Sequence, residues 1–208
     1  RSRNIRALIL APTRELAEQI NQASGRLGRH TGIQSTTIYG GVKKGPQLTA
    51  LRRGPEIVVA CPGRLLDHLR ENDINLRHLE VLVLDEADTM CDMGFLPDVR
   101  RILEQVPSKR QTLFFSATMP EQIRRLSQSI LSDPVTIQID ANAPANTVSH
   151  ALYPRTEKLK RSLLLDLLHH TATGKVVIFT RTKHRARNLT QELEMRNFRV
   201  TQLHVSLS

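Results

Sequence analysis

Aromatic residues are scarce in this 208-residue sequence, which has no Trp, two Tyr and five Phe. Proteins that hold single-stranded nucleic acid by base stacking use aromatic side chains as the platform. The composition therefore disfavours a function that depends on stacked bases.

Cysteine is also rare, with Cys61 and Cys91 as its two copies. They form no Cys-x-x-Cys pair and have no Cys/His ligand spacing, so the sequence offers no zinc site. The neighbouring His169 and His170 point in different directions on a predicted helix, which favours surface or interface histidines over metal ligands. Free thiols are typical of a reducing compartment, so we expect a cytoplasmic protein.

Long apolar runs are missing as well, and the first residues do not resemble a signal peptide. No run approaches the roughly 18 residues of a membrane-spanning helix, so we expect no membrane partner. The first residue is Arg1 rather than Met, and we interpret the chain as an internal piece of a longer protein.

Positive charge is in excess: the chain has 30 Lys or Arg and 20 Asp or Glu, a net charge of +10. Residues 1–54 alone contain ten Lys or Arg and two acids. Such a surplus favours a polyanionic partner, nucleic acid first, although a solubilising surface is the alternative. Because aromatic residues are few, we expect binding through backbone phosphates.

Short apolar runs rich in Val, Ile and Leu alternate with amphipathic ones, which predicts an α/β fold with a mainly parallel sheet covered on both faces. Strands are predicted at residues 5–11, 35–39, 56–60, 81–84, 112–115 and 135–139. Helices are predicted at residues 14–29, 46–53, 64–70, 96–105 and 121–131. Together these elements form a first domain at residues 1–139.

A linker and a second domain follow. Residues 140–149 include Asp-Ala-Asn-Ala-Pro-Ala-Asn-Thr, a composition typical of a linker. Strands are then predicted at 150–153, 176–180 and 200–204, and helices at 157–169 and 183–196. A sheet of so few strands would expose an edge, so we interpret residues 150–208 as the start of a truncated second α/β domain.

The strongest chemical signal is Asp85-Glu86-Ala87-Asp88, at the end of the predicted strand 81–84. Ligands of open α/β sheets bind at the carboxyl ends of the strands. A strand-end Asp commonly binds the Mg²⁺ of a nucleoside-triphosphate site, directly or through water, and a second carboxylate can orient or deprotonate the attacking water. The alternative is an acidic turn that caps the next helix.

Four more segments follow predicted strands. Ser116-Ala117-Thr118 places two hydroxyls where they can bond a strand-end carboxylate, or it is a plain helix N-cap before Met119-Pro120. Thr13 is a natural N-cap, and a helix N terminus that carries Arg14 can also hold a phosphate. Gly40-Gly41 and Pro62-Gly63-Arg64 allow close approach of a ligand, although each taken alone is an ordinary turn.

In this order and spacing, the segments resemble the DEAD-box RNA helicases over essentially the whole chain. The matching stretches are residues 12–17 (motif Ia), 40–41 (the GG motif), 62–64 (motif Ib), 85–88 (motif II), 116–118 (motif III) and 177–183 (motif IV). Residues 93–95 and 179–184 resemble the bacterial RhlE-type branch in particular. The resemblance implies an incomplete first RecA-like domain and the beginning of a second RecA-like domain.

The resemblance also implies roles, with ATP and Mg²⁺ as cofactors. Asp85 would bind Mg²⁺ through water, and Glu86 would position the hydrolytic water. Asp88 would bond to Ser116 and Thr118 and so link nucleotide state to domain closure. The RNA backbone path would be lined by Thr13, Arg14, Gly41, Gly63 and Arg64, with Thr180 and Thr182 near where the second domain meets RNA. Phe179 would pack close to the nucleotide cleft, with a plain core position as the alternative.

The sequence departs from the family at several places. Cys61 stands where Thr is usual, so we expect the loss of a phosphate-contacting hydroxyl and modestly weaker RNA binding. Cys91 replaces a usual Leu, which is a packing change, and Val205 replaces a Gly near the chain end. The family's phosphate loop and arginine finger are expected upstream of Arg1 and downstream of Ser208, so we expect the segment alone to hydrolyse little or no ATP.

The implied function is RNA-stimulated ATP hydrolysis coupled to local unwinding of RNA duplexes in the full-length protein. Binding to phosphates and sugars would be salt-sensitive and independent of sequence. The alternative is a non-catalytic RNA-binding or interaction module derived from a helicase. The intact Glu86 and the intact segment at 116–118 argue against a decayed enzyme, and the sequence names neither an RNA target nor a protein partner.

Overall fold

The structure is a computed structural model, and it describes residues 4–139, 149, 151–154, 156, 159–170 and 174–204. The chain divides into two compact units, Arg1–Gln138 and Ile139–Ser208. Most of the predicted linker, residues 140–148, lies outside the described residues, and so does Val205 with the rest of the tail.

The first unit contains a five-stranded sheet in which every pairing is parallel and the strand order is β2-β3-β1-β4-β5. The strands are β1 (Ala7–Leu10), β2 (Ser35–Ile38), β3 (Ile57–Ala60), β4 (Val81–Leu84) and β5 (Gln111–Phe114). β1 to β4 lie inside predicted strands, and β5 begins one residue before its predicted start. The predicted α/β class with a mainly parallel sheet is confirmed.

Six helices accompany the sheet in the described part of the first unit. They are α1 (Arg14–Gly28), α2 (Lys44–Arg52), α3 (Pro62–Arg70), α4 (Ala87–Asp92), α5 (Leu96–Leu103) and α6 (Glu121–Ile130). The sequence pattern did not predict α4, which at six residues is too short to show a helical period. No helix in the described residues of either unit is long and apolar enough to cross a membrane.

Both faces of the sheet are covered by apolar side chains. Leu8 and Val58 belong to a large cluster that includes side chains of α3, α4, α5 and α6. The next residues along the same strands, Ile9 and Val59, belong to a second cluster with Ala17 of α1. Since strand residues alternate between faces, burial on both sides explains why these strands are continuous apolar runs.

The strand predicted at 135–139 is not formed, so that prediction is wrong. Residues 134–139 have no regular secondary structure, and Val135, Ile137 and Ile139 are 89%, 86% and 87% exposed. A strand needs a neighbour for its backbone hydrogen bonds, and no described strand pairs with this segment. The alternation of apolar and polar residues indicates a preference for strand, but it does not show whether another strand lies beside the segment to pair with it.

The described part of the second unit contains two helices, α7 (Lys160–His170) and α8 (Lys183–Met195), close to the predicted positions. The strands predicted at 150–153, 176–180 and 200–204 are absent from the residues of those stretches that the structure describes. The reason is the same as for residues 135–139. These stretches have the composition of strands, and they have no described partner to pair with.

The carboxyl ends of the five strands lie side by side. Leu10 of β1 is in register with Ala60 of β3 and with Leu84 of β4. At the outer positions Ile38 of β2 is in register with Ala60, and Phe114 of β5 with Leu84. The segments that follow the strands therefore leave the sheet from one straight edge.

Candidate active site

Five of the six segments singled out in the sequence leave this edge of the sheet. Residues 85–88 and 116–118 follow the neighbouring strands β4 and β5, and we name them the carboxylate half. Residues 11–17, 39–43 and 61–64 follow β1, β2 and β3, and we name them the glycine half. The two halves meet where β1 and β4 pair.

The carboxylate half begins in a tight turn with a strained backbone. Asp85 N donates to Leu10 O at 3.0 Å, and Asp85 Oδ1 accepts from Glu86 N at 3.0 Å. Glu86 has φ 48° and ψ 53°, in the left-handed region that costs a non-glycine residue about 1–2 kcal/mol. Ala87 N donates to Phe115 O at 3.0 Å, which fixes the far side of the turn. The turn leaves the Glu86 side chain exposed beyond the end of β4.

Asp88 joins the two segments of the carboxylate half. Its Oδ2 accepts hydrogen bonds from Thr118 N at 2.8 Å and Thr118 Oγ1 at 2.7 Å. Its backbone N donates to Ser116 Oγ at 3.3 Å, and that hydroxyl donates to Thr118 O at 2.6 Å. Contacts that the family resemblance implied are therefore present. Residues 116–118 are not the N-cap of α6, since Pro120 holds that position. The acidic turn does lead into α4, with Glu86 as N-cap and Asp88 in the first turn, but the Glu86 side chain makes no cap hydrogen bond.

These hydrogen bonds favour the ionised form of Asp88. Burial alone would raise the pKa of this carboxyl, but hydrogen bonds from the Thr118 side chain and backbone, and from Ser116, lower the pKa below its usual value. Asp88 is therefore ionised at neutral pH and acts as an acceptor.

The donor chemistry at the end of β4 fits Mg²⁺. Carboxylate oxygens are the hard ligands that this ion prefers, and nucleotide sites hold Mg²⁺ with one or two carboxylates, water and phosphates rather than with a full protein cage. Asp85, half-buried at the strand end, provides one such carboxylate.

On the glycine half, α1 begins as the sequence predicted. Thr13 is the N-cap, and its Oγ1 accepts from Leu16 N at 3.3 Å. The Arg14 guanidinium lies 5.2 Å from the centroid of the Tyr39 ring, and the Tyr39 hydroxyl donates to Glu18 at 2.6 Å. Tyr39 and Glu18 were not predicted from the sequence, since no local motif links the end of β2 to α1.

The Gly40-Gly41 loop leaves open space on its outer side. Gly41 has φ 77°, a conformation that favours glycine, and no atom lies within 4 Å of the position that a Cβ would take at Gly40 or Gly41. A ligand can therefore approach this backbone closely. Gly63, in the first turn of α3, is similarly uncrowded, with Asp98 Oδ2 at 4.0 Å from its Cβ position.

Arg64 is held by the protein rather than left extended. Its Nη1 donates to Val42 O at 3.1 Å, its Nε lies 3.6 Å from Asp67 Oδ2, and its side chain is 18% exposed. The sequence analysis assigned it to an RNA phosphate. The structure gives it a further role, because its bond to Val42 attaches the Gly40-Gly41 loop to α3.

Cys61 is the N-cap of α3, and its side chain makes no cap hydrogen bond. The residue is 9% exposed, and burial together with the charge of Glu15 raises the pKa of the thiol to about 11. The thiol is therefore protonated at neutral pH. In place of a hydroxyl, the start of α3 has a group that caps a helix poorly.

Two of the predicted site residues lie in the second unit. Thr182 is the N-cap of α8 and accepts from Arg185 N at 3.3 Å, and Thr180 Oγ1 donates to Thr182 O at 3.1 Å. Phe179 is 94% exposed, so the alternative of a plain core position is wrong for the described part of the chain.

Comparison with known proteins gives one consistent result. The DEAD/DEAH box helicase family model matches residues 1–126. The chain is 42% identical to the DEAD-box ATP-dependent RNA helicase RhpA of Helicobacter pylori over 201 residues, which cover 96% of this chain and 41% of that protein. It is 40% identical to the ATP-dependent RNA helicase CshA of Listeria monocytogenes over 209 residues, which cover 100% of this chain and 40% of that protein.

A plant protein is equally similar. The DEAD-box ATP-dependent RNA helicase 30 of Arabidopsis thaliana is 45% identical over 203 residues, which cover 95% of this chain and 34% of that protein. Because bacterial and plant proteins match about equally, they do not select the RhlE-type branch. The chain spans between a third and two fifths of the length of these relatives.

Proposed function

Because this chain belongs to the DEAD/DEAH box helicase family, we propose that it is the part of an ATP-dependent RNA helicase that carries the carboxylate side of the ATP site. In the full-length protein, RNA-stimulated ATP hydrolysis would be coupled to local unwinding of RNA duplexes. The similar proteins are named as ATP-dependent RNA helicases, which supports ATP and RNA as ligands.

One observation carries the proposal. Asp88 is bonded to Thr118 at 2.7 and 2.8 Å, so the segment after β5 is attached directly to the segment that bears Asp85 and Glu86. A change at either segment is therefore transmitted to the other. A module that only binds RNA has no need of this bond network, which argues against the non-catalytic alternative.

The carboxylate half would handle the nucleotide. A bound Mg²⁺ would neutralise charge on the phosphates, and the residue that would hold it through water is Asp85. Glu86 is exposed at the strand end, where its carboxylate can orient the attacking water or take its proton. Asp88, Ser116 and Thr118 would keep these carboxylates in a fixed relation to the segment after β5.

The glycine half would bind the RNA backbone. Helix N termini present free N–H groups to phosphates, and α1 and α3 both begin at this edge. The residues proposed to line the path are Thr13, Arg14, Gly41, Gly63 and Arg64. Thr180 and Thr182 are the residues proposed to contact RNA in the second unit, which we propose is the beginning of a second RecA-like domain. The thiols Cys61 and Cys91 are free, which supports a reducing, cytoplasmic location.

The proposal is tested by Glu86→Gln in the full-length protein. This change keeps the shape of the side chain and removes its charge, so RNA-stimulated ATP hydrolysis should fall at least about 100-fold, the usual range for a lost general base. RNA affinity, measured by fluorescence anisotropy, should stay within about twofold of wild type.

Glu104→Gln is the matched control, since Glu104 is an exposed acid at the opposite end of the fold, after α5. It should leave both measurements unchanged. Full turnover in Glu86→Gln would refute the role given to Glu86. RNA binding by a wild-type protein that hydrolyses no ATP would instead favour the non-catalytic module.

A further inference from the structure

A buried histidine and three charged side chains form a cluster next to the start of α2, which follows the Gly40-Gly41 loop. His68 of α3 is 0% exposed, and its Nδ1 lies 2.9 Å from Asp73 Oδ2. Asp73 N also donates to His68 O at 2.9 Å, so the two residues are joined through both side chain and backbone. Asp73 Oδ2 lies 2.9 Å from Lys44 Nζ, and Lys44 also forms an ion pair with Glu71. No sequence signal marked this cluster, because a lone His on an apolar helix face is typical of a core position.

The cluster is connected to the loop at its carboxyl end. Lys44 is the first residue of α2 and follows the loop immediately. Arg64 attaches the loop at a second point through its bond to Val42 O. Arg64 and His68 are four residues apart and share one face of α3. That face therefore contacts the loop directly through Arg64 and indirectly through Asp73 and Lys44.

The loop has little other support on its outer side. The space around Gly40 and Gly41 is open, and Lys43, the N-cap of α2, makes no side-chain cap hydrogen bond. At the start of the loop, Gln47 Nε2 donates to Tyr39 O at 3.1 Å. The position of the glycine backbone therefore depends on contacts with the protein side of the loop. At the carboxyl end of the loop, the cluster supplies these contacts.

We propose that His68 is a positioning residue for RNA binding, which through Asp73 and Lys44 fixes the Gly40-Gly41 loop against α3. The inference rests on the proposed function, since it assigns the loop to RNA. His68 does not touch the ligand and acts by holding Asp73, which in turn holds the first residue of α2.

The protonation of His68 gives this role a measurable signature. Burial lowers the pKa of His68, the charges of Lys44 and Arg64 lower it further, and these effects outweigh the opposing influence of Asp73. The neutral ring donates Nδ1–H to Asp73, and its buried Nε2 has no hydrogen-bond partner among the described residues. Protonation would put a positive charge on this buried ring, near the charges of Lys44 and Arg64, and would leave the new Nε2–H without a partner among the described residues. The packed position of the ring would then be disfavoured, so acid should loosen the loop.

The test compares RNA affinity of the full-length protein with two variants, measured by fluorescence anisotropy. His68→Asn keeps an N–H at the position of Nδ1, and His68→Leu fills the space without a donor. The loop requires the donor, so His68→Leu should weaken RNA binding by about tenfold while His68→Asn stays within about twofold. Melting curves establish that both variants are folded.

The pH profile separates positioning from simple packing. Because the pKa of His68 is lowered, the RNA affinity of wild type should stay constant down to the usual histidine pKa of about 6.5 and fall only at lower pH, whereas that of His68→Asn, which cannot be protonated, should not follow. Equal affinity of all three proteins at neutral pH, or identical pH profiles of wild type and His68→Asn, would overturn the inference and leave the proposed function standing. A wild-type protein that binds no RNA would overturn both.

Lys44→Met gives a second route if His68→Leu does not fold, because Lys44 is partly exposed. Its matched control is Lys109→Met, which removes the same charge from an exposed position outside the glycine half. Lys44→Met should bind RNA about fivefold more weakly than Lys109→Met with the same salt dependence. If the slope of log affinity against log salt became shallower by about one unit in Lys44→Met and not in Lys109→Met, Lys44 would contact a phosphate directly, and the positioning role would be overturned.

Discussion

Two residues that follow strands are locally unfavourable: Glu86 has a left-handed backbone, and Cys61 begins a helix without capping it. They differ in what their side chains contribute. Glu86 keeps a left-handed backbone because Asp85 and Ala87 are both bonded to neighbouring strands, and the strain leaves a carboxylate exposed at the sheet edge. Strain of this kind is typical of functional sites. Cys61 begins a helix without capping it and packs with Ala11, Ala17 and Val59. Its side chain contributes packing alone.

The missing cap can be restored. Cys61 has φ −84° and ψ 138°, an extended conformation that suits an N-cap, so Cys61→Thr should place a hydroxyl on the free N–H groups of α3. We expect the free energy of unfolding to exceed that of Cys61→Val by about 1 kcal/mol, measured by urea denaturation. Val has the shape of Thr without the hydroxyl and is the matched control. Equal stability of the two variants would contradict the capping role.

Among the elements, the contact between α4 and the segment before α6 combines two backbone donors, Ala87 N and Asp88 N, with the carboxylate of Asp88. Asp88 is in the first turn of α4, where a negative charge is favourable, and it accepts two hydrogen bonds from Thr118. The hydroxyl and the backbone N–H of Thr118 converge on one oxygen. This bond therefore fixes a segment that has no regular structure of its own.

Thr118→Val should loosen this contact in a pH-dependent way. The change removes one donor to Asp88, so the pKa of Asp88 should rise toward its usual value. A carboxyl pKa that folding lowers stabilises the folded state at pH values above the usual carboxyl pKa. The free energy of unfolding of the variant should therefore be lower by about 1 kcal/mol or less at neutral pH, because solvent weakens the interaction of an exposed pair. The loss should vanish as pH falls through the pKa of Asp88.

Denaturation curves at several pH values check this prediction. The exposed Thr136 provides a matched control, because Thr136→Val makes the same change outside the carboxylate half. A loss of stability that does not depend on pH, or that is equal in Thr136→Val, would contradict the role of the hydroxyl.

The elements also show what the sequence could and could not predict. The inner strands β1, β3 and β4 were predictable because burial on both faces produces continuous apolar runs such as Val-Leu-Val-Leu. The stretch at 135–139 has an equally good strand pattern and forms none, because pairing is a property of the neighbour. Asp88 and Thr118 were found through a motif. His68 and Asp73 were not, because their partner Lys44 lies on another helix and only the fold brings it close.

For the whole molecule, positive charge is distributed differently from what residues 1–54 alone indicate. Residues 1–138 contain 19 Lys or Arg and 15 acids, whereas residues 139–208 contain 11 and five. The second unit therefore has the higher density of positive charge. If both units bind RNA, the second unit contributes a large share of the electrostatic attraction, although it contains fewer of the helicase motifs.

RNA binding by the full-length protein should therefore depend strongly on salt and weakly on sequence. A plot of log affinity against log salt should have a slope of about −2 or steeper, since each phosphate neutralised on a single strand contributes about −0.7. Oligo-A and oligo-U of equal length should bind within about threefold of each other. A flat salt response, or a large preference for one base, would contradict binding through phosphates.

The aligned strand ends have a mechanical consequence. β1 leads into the segment proposed for RNA and β4 into the segment proposed for ATP, and these strands are neighbours, about 4.8 Å apart. The register of β1 with β4 therefore fixes where the carboxylates lie relative to residues 11–17. A slip of β4 by one residue would move its carboxylates by about 3.3 Å and turn their side chains to the opposite face. If RNA and ATP bind as proposed, the relative position of the two sites depends on the register of one strand pair.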